Sequence, residues 1–168
     1  MSSSSGAAQK KIVVKSSDGD IFEMDEAVAS NSLTIKNMIE DGCADDVIPL
    51  PNVNTPILAM IIQYCKHHTE AAADKGAAAA AKKVSEDSLI DFDTEFMDVE
   101  QCTRFDLLLA ANYLNIKSLM DLICETVAGT MKGKSPVELR EMFNIENDFT
   151  PEEEEKFRKD RDWKFENN

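Results

Sequence analysis

The stretch Phe105–Val127, FDLLLAANYLNIKSLMDLICETV, contains two apolar helical segments that meet at residues 114–116. In the first segment, apolar residues cover almost the whole circumference of the helix, which is typical of a helix packed on several sides. In the second segment, a stripe at helical spacing consists of Ile116, Leu119, Ile123 and Val127. One core rarely needs both surfaces, so we interpret this hairpin as the joint between two halves, with Asn115 capping the second helix.

The chain has 168 residues, which suits one domain with an appendage and is long enough to bury a core. Its 18 Lys and Arg residues against 32 Asp and Glu residues give a net charge of −14. Nucleic acid is therefore a poor partner, because phosphate binding depends on clustered Lys and Arg. A basic protein surface fits this charge better.

The four cysteines occur singly, without a CxxC motif, which indicates reduced structural thiols. No apolar segment approaches the roughly 18 residues that a membrane helix needs. We expect a soluble intracellular protein that does not bind membranes. Residues 1–10 are predicted to form a disordered tail.

The front of the chain predicts a small sheet followed by helices, an α+β arrangement. Lys11–Lys15 and Ile21–Met24 form a hairpin signal around Asp18-Gly19, and Val47–Leu50 is a brief edge strand. Ser32 is expected to cap a helix that Gly42 ends. A further strong helix is expected to start at Asn54 and close at His67 and His68.

The composition changes abruptly at residues 70–85, which are rich in alanine and lack large apolar side chains. We interpret them as a flexible linker. An acidic helix follows in the sequence SEDSLIDFDTEFMDV. Its carboxylates at positions 91, 93 and 95 are not spaced for acid–base chemistry and are expected to form a solvated face.

The C-terminal part contains two explicit helix starts. Ser135-Pro136-Val137-Glu138 and Thr150-Pro151-Glu152-Glu153 both have the pattern of a capping box with proline at the first helical position. Two such short helices cannot make a core alone. Their aromatic residues therefore either fold back on the main domain or form a surface for another chain, and the sequence leaves both possibilities open.

Catalytic motifs are not found. The sequence has no Gly-rich phosphate loop, no GxSxG and no HExxH, and adjacent His67 and His68 point in different directions around a helix. We therefore expect no enzyme activity, and we assign no catalytic, cofactor-binding or metal-binding residue.

Four separated blocks carry a resemblance to a known family: SSDG at 16–19, PLPNV at 49–53, LLAANYLNIKSLMDL at 108–122 and FNIENDFTPEEEE at 143–155. In this order they are similar to the S-phase-kinase-associated (Skp) adaptors of SCF ubiquitin ligases. The resemblance implies a BTB/POZ-type fold, a small three-stranded sheet with a helical bundle, plus a C-terminal helical extension. The alanine-rich linker looks most like that of plant members.

The resemblance also implies an adaptor function with two partners, located in the nucleus and cytoplasm. The BTB/POZ-like domain, residues 11–115, would bind the N-terminal domain of a cullin, with contacts at Asn112 and Tyr113. The C-terminal dimerisation and F-box-binding helices, residues 116–168, would bind F-box proteins. The implied F-box contacts are Leu119, Ile123, Val127, Phe143, Ile145 and Trp163.

Two departures from the family pattern lie near these expected contacts, namely Arg104 in place of a common leucine and the pair Gly129-Thr130. Their effect on partner preference is left open. The alternative function is a self-associating BTB-type interaction module. Proteins of that kind usually carry a DNA-binding domain, which an acidic chain such as this one lacks.

Overall fold

The computed structural model describes residues 10–43, 45–77 and 84–165, with only the backbone at 74–77, 84–87 and 161–165. The chain forms two compact units, Met1–Val127 and Ala128–Asn168. The predicted tail lies outside the described residues except for Lys10, and so do residues 78–83 of the predicted linker. The two units are therefore described separately.

A three-stranded sheet opens the first unit, as predicted. Strands β1 (Lys11–Lys15) and β2 (Ile21–Asp25) pair in antiparallel fashion. Gly19 has a φ of +98°, a value that glycine adopts without strain, and it makes the tight turn between them possible. Strand β3 (Ile48–Pro49) pairs in parallel with β1 at the sheet edge.

Two short helices, α1 (Glu26–Ala29) and α2 (Leu33–Glu40), lie between β2 and β3. Ser32 caps α2 as predicted, because its hydroxyl oxygen accepts a hydrogen bond from the backbone N–H of Ile35 at 3.2 Å. Gly42 follows the end of α2 with a φ of +73°. The local signals of the sequence therefore set both ends of this helix.

Helix α3 (Thr55–Ala77) is longer than predicted. It begins after Asn54, whose Oδ1 accepts a hydrogen bond from the N–H of Ile57 at 3.0 Å. The prediction that it closes at His68 is wrong, because the helix continues through the start of the alanine-rich segment. Alanine has the highest helix propensity of all residues, which accounts for the extension. Helix α4 (Val84–Phe96) follows.

The decisive hairpin consists of α5 (Gln101–Leu114) and α6 (Lys117–Met131). Asn115 adopts a left-handed conformation, with a φ of 53°, and its N–H bonds to carbonyls at the end of α5. It is therefore the C-cap of the first helix, which corrects the predicted N-cap role in the second. Asparagine tolerates this conformation better than most residues, and the hairpin needs it to reverse direction.

The core of the first unit draws residues from the sheet and from helices α1 to α6. Its fully buried large side chains are Ile12, Val14, Leu50, Val53, Leu58, Leu107, Leu114, Ile116, Leu119 and Ile123. The second unit contains α7 (Pro136–Phe143) and α8 (Pro151–Phe165). None of its side chains described between residues 128 and 160 is buried.

Candidate protein-interaction surfaces

Helix α5 presents an exposed surface with both apolar and polar side chains near its C-terminus. Leu109 is 69% exposed, Asn112 is exposed and Tyr113 is half-buried. Residues three and four positions apart lie on the same side of a helix, so these three side chains share one face. This face brings together both residues that the resemblance assigned to the cullin contact.

The start of helix α2 adjoins the end of α5 and holds this face in position. The buried Ser32 hydroxyl donates to the backbone carbonyl of Leu114 at 2.6 Å, and the Thr34 hydroxyl donates to that of Tyr113 at 3.1 Å. Leu33, between them, is itself exposed. We call Leu33, Leu109, Asn112 and Tyr113 the α5 face.

Sequence reasoning did not single out Leu109. The signal was present, because three consecutive leucines followed by alanines cover the helix all round. Only some of those positions can face one core. In the structure Leu107 is fully buried, whereas the apolar side chain of Leu109 is exposed to solvent.

The predicted F-box residues that lie on helix α6 differ in their exposure. Leu119 and Ile123 are 0% exposed and pack in the core of the first unit. This corrects the prediction that they contact a partner directly, because their side chains do not reach the surface of the chain. Val127 is half-buried against the same core and keeps part of its surface accessible.

The second unit holds an open apolar cavity of about 590 Å³. We call it the tail groove; its apolar wall includes Val137, Phe149 and Phe157, which are all exposed. The rings of Phe149 and Phe157 lie 5.0 Å apart. The Arg140 guanidinium lies 5.8 Å from the centre of the Phe149 ring and pairs with Glu154 at 3.3 Å.

Both predicted capping boxes form in the second unit, at the starts of the two helices whose residues line the tail groove. Ser135 and Glu138 bond reciprocally at the start of α7. At the start of α8, the Glu153 carboxylate accepts a hydrogen bond from the Thr150 N–H at 2.9 Å, and the Thr150 hydroxyl accepts one from the Glu153 N–H at 3.3 Å. The backbone hydrogen bonds lower the pKa of both glutamates.

The remaining predicted F-box residues lie in this unit. Ile145 is 57% exposed and lines a second cavity of about 380 Å³ between the end of α7 and Glu154. Phe143 is half-buried. The side chain of Trp163 lies outside the described residues, so the structure gives no position for it.

The described residues contain no group of three or more His, Cys, Asp or Glu side chains that could hold a metal ion. No helix in the described part of the chain is long and apolar enough to cross a membrane. Burial raises the pKa of the Cys65 thiol to about 12, which keeps it protonated at neutral pH. The candidate sites described above are exposed surfaces that carry both apolar and polar side chains.

Comparison with known proteins shows the family to which both parts of the chain are similar. Residues 10–70 match the Skp1 family tetramerisation domain, and residues 117–164 match the Skp1 family dimerisation domain. SKP1-like protein 1A of Arabidopsis thaliana is 57% identical over 157 residues, covering 94% of this chain and 98% of that protein.

Two other plant relatives are similar over the same extent. SKP1-like protein 20 of Oryza sativa subsp. japonica is 54% identical, covering 92% of this chain and 94% of that protein. SKP1-like protein 4 of Arabidopsis thaliana is 55% identical, covering 94% of this chain and 98% of that protein. The matches thus extend across both compact units, and the chain belongs to the Skp1 family.

Proposed function

We propose that this chain is the adaptor subunit of an SCF ubiquitin ligase and bridges a cullin scaffold to F-box substrate receptors through two separate surfaces. Membership of the Skp1 family over both units carries the adaptor function. One observation supports the proposal that the two partners bind at different surfaces. Exposed apolar side chains are present in each unit, on the α5 face and in the tail groove.

The α5 face is our candidate for the cullin contact. It combines two exposed leucines, Leu33 at the start of α2 and Leu109 on α5, with Asn112 and the half-buried Tyr113. An apolar and aromatic centre with a polar neighbour is the composition that protein interfaces favour. Hydrogen bonds from Ser32 and Thr34 hold the backbone beneath it, so little ordering is needed on binding.

The second unit is our candidate for the F-box contact. It leaves aromatic and aliphatic residues exposed that a free monomer gains nothing by exposing, among them Ile145, Phe149 and Phe157. Val127, Phe143 and Trp163 stay predicted contacts on the strength of the family resemblance. Leu119 and Ile123 act instead by holding α6 in the core.

The function is recruitment, with no chemical step on this chain. The adaptor would set the distance and orientation between a substrate receptor and the rest of the ligase, which raises the effective concentration of the reacting groups. We expect the protein in the nucleus and the cytoplasm.

Single exposed substitutions in the full chain test the assignment of the two surfaces. Leu109→Lys should weaken binding of a cullin N-terminal domain by about tenfold or more and leave F-box binding unchanged, because it places a charge in one apolar contact only. Ile145→Lys should do the reverse. Isothermal titration calorimetry with each partner measures both affinities.

The matched control is Ile21→Lys, which adds the same charge at an aliphatic residue of β2 whose exposed fraction, 61%, lies between those of Ile145 and Leu109. It should change neither affinity. If Leu109→Lys and Ile145→Lys weaken the same partner, or if neither weakens any partner, the two-surface proposal fails. Circular dichroism of each variant confirms that the fold is retained.

A further inference from the structure

Helix α4 is firmly held on one side. The Phe92 ring stacks on His67 of α3 with centroids 3.9 Å apart, and His68 Nε2 lies 2.8 Å from Asp93 Oδ1. The Phe96 ring lies 5.6 Å from Tyr64, also on α3. These contacts leave the opposite side of α4 in a defined position.

That opposite side opens onto a cavity of about 710 Å³ between α4 and α6, within the first unit. Its apolar surface comes from Ile90 and Met97 on one wall and Leu122 on the other. Ile90 is 62% exposed, whereas Leu89 and Phe92 on the same helix are half-buried and Phe96 is buried. We call this cavity the α4–α6 groove.

The polar groups lining the α4–α6 groove are acceptors. Four of its nine lining residues are carboxylates, at positions 91, 93, 95 and 98, and no Lys or Arg is among the nine. The hydroxyls of Thr94 and Thr126 donate to carbonyls of their own helices at 2.7 and 2.8 Å. The groove therefore presents negative charge and no free hydroxyl donor.

Stability of α4 does not account for this charge. Glu95 lies in the last turn of α4, and Asp98 follows the end of the helix by two residues, in the region where the helix dipole favours positive charge. The last turn of α4 contains no basic residue. Sequence reasoning took the acidic side chains for a solvated face, but that interpretation does not explain why they surround an exposed isoleucine.

We infer that the α4–α6 groove binds a basic amphipathic segment of a partner protein. An aliphatic side chain of that segment would cover Ile90, and its Lys or Arg residues would pair with Asp91, Glu95 and Asp98, since Asp93 is already bonded to His68. The net charge of −14 would speed the encounter. None of these residues belongs to the α5 face or the tail groove.

A designed probe tests this inference on the full chain. The probe is a fluorescent peptide of about 14 residues, with leucines at helical spacing on one face and Lys or Arg at the other positions. It should bind saturably in fluorescence anisotropy, and more weakly as salt is raised, because mobile ions screen the carboxylates. A matched peptide with serine in place of leucine should not bind.

Two variants locate the probe. Ile90→Ser should weaken its binding by about tenfold, because the apolar anchor is lost, whereas Ile21→Ser, at an isoleucine that is 61% exposed on β2, should not. The double variant Glu95→Lys/Asp98→Lys should weaken binding by about tenfold at low salt. Its control, Glu23→Lys/Asp46→Lys, changes the net charge equally at exposed positions away from the groove.

The results that would overturn the inference are specific. They are equal binding of the probe by the Ile90 and Ile21 variants, equal effects of the two double variants, or no saturable binding at all. Self-association of the full chain that Ile90→Ser abolishes, seen by sedimentation velocity, would also overturn it, because the occupant would then be a second copy. None of these results bears on the cullin and F-box contacts.

Discussion

The two units of this chain treat their apolar residues in opposite ways. The first unit buries apolar side chains from every helix and from the sheet, whereas the second unit has no buried side chain between residues 128 and 160. Both are folded from equally explicit local signals, since Ser32 caps α2 and Ser135 caps α7. Capping residues start helices in both units, but among the described residues only the first unit also has a buried core.

The difference indicates where the stability of the fold resides. The helices of the second unit depend on capping boxes and on the link from Arg140 to Phe149 and Glu154, which are individually weak and exposed. The first unit depends on burial, which is the dominant favourable term in folding. The second unit can therefore offer its aromatic residues to a partner without weakening the core of the first.

The strongest test of this contrast substitutes isoleucines of α6 and the second unit. Ile123→Ala should lower the free energy of unfolding by about 3 kcal/mol, because it leaves a cavity in a closed core. Ile145→Ala, at an exposed position, should change that free energy by less than about 0.5 kcal/mol. Urea denaturation followed by circular dichroism measures both.

The same pair separates stability from binding. Ile145→Ala should reduce affinity for an F-box partner, whereas Ile123→Ala should change it little under conditions where the variant is folded. Equal destabilisation by the two substitutions would contradict the contrast between a first unit with a buried core and a second unit without buried side chains between residues 128 and 160.

A smaller effect is expected from removing the two serine caps. Ser32→Ala should lower the free energy of unfolding by about 2 kcal/mol, because it removes the α2 cap and leaves the buried Leu114 carbonyl without its hydroxyl donor. Ser135→Ala removes only an exposed cap and should cost less. Urea denaturation again gives both values, and a larger loss for Ser135→Ala would reverse the proposed ranking.

The features that could be predicted from sequence are those with local causes. The hairpin around Gly19, the caps at Ser32, Ser135 and Thr150 and the edge position of β3 each follow from a few adjacent residues. The family resemblance then supplied the fold class.

What the sequence did not reveal depends on contacts between distant segments. Periodicity placed Leu119, Ile123 and Val127 on one stripe, but it could not show that the first two face the core completely. Asn115 was assigned to the wrong helix because an asparagine between two helices can cap either one. The α4–α6 groove was missed since its walls are about 30 residues apart.

Arg140 allows the contrast to be tested inside the second unit. Arg140→Met should destabilise the α7–α8 pair by about 0.5 kcal/mol, because it removes the Glu154 pair and the cation over the Phe149 ring. Faster amide exchange in α7 and α8, with no change in α5, would report this local effect. Arg140→Lys keeps the charge but replaces the planar guanidinium near the Phe149 ring with an ammonium group, so its effect should be intermediate.

The smallest expected effect is a pH dependence confined to the capping boxes. The backbone N–H of Ser135 bonds to the Glu138 carboxylate, and the N–H of Thr150 bonds to that of Glu153, so the pKa of each glutamate falls below its ordinary value of 4.5. A lowered pKa means that the folded helices prefer the ionised form. This stabilisation is complete above pH 4.5 and is lost as pH falls through the lowered pKa.

Amide exchange or chemical shifts at the starts of α7 and α8 would therefore show increased fraying below about pH 4.5. The matched control is Glu138→Gln/Glu153→Gln, which can still accept the backbone hydrogen bonds but does not titrate, so fraying at these sites should become independent of pH. The α2 cap uses the Ser32 hydroxyl alone and should not respond in this range. A response at α2 as large as that at α7 and α8 would mean that the acid transition is not confined to the capping boxes of the second unit, and the prediction would then be wrong.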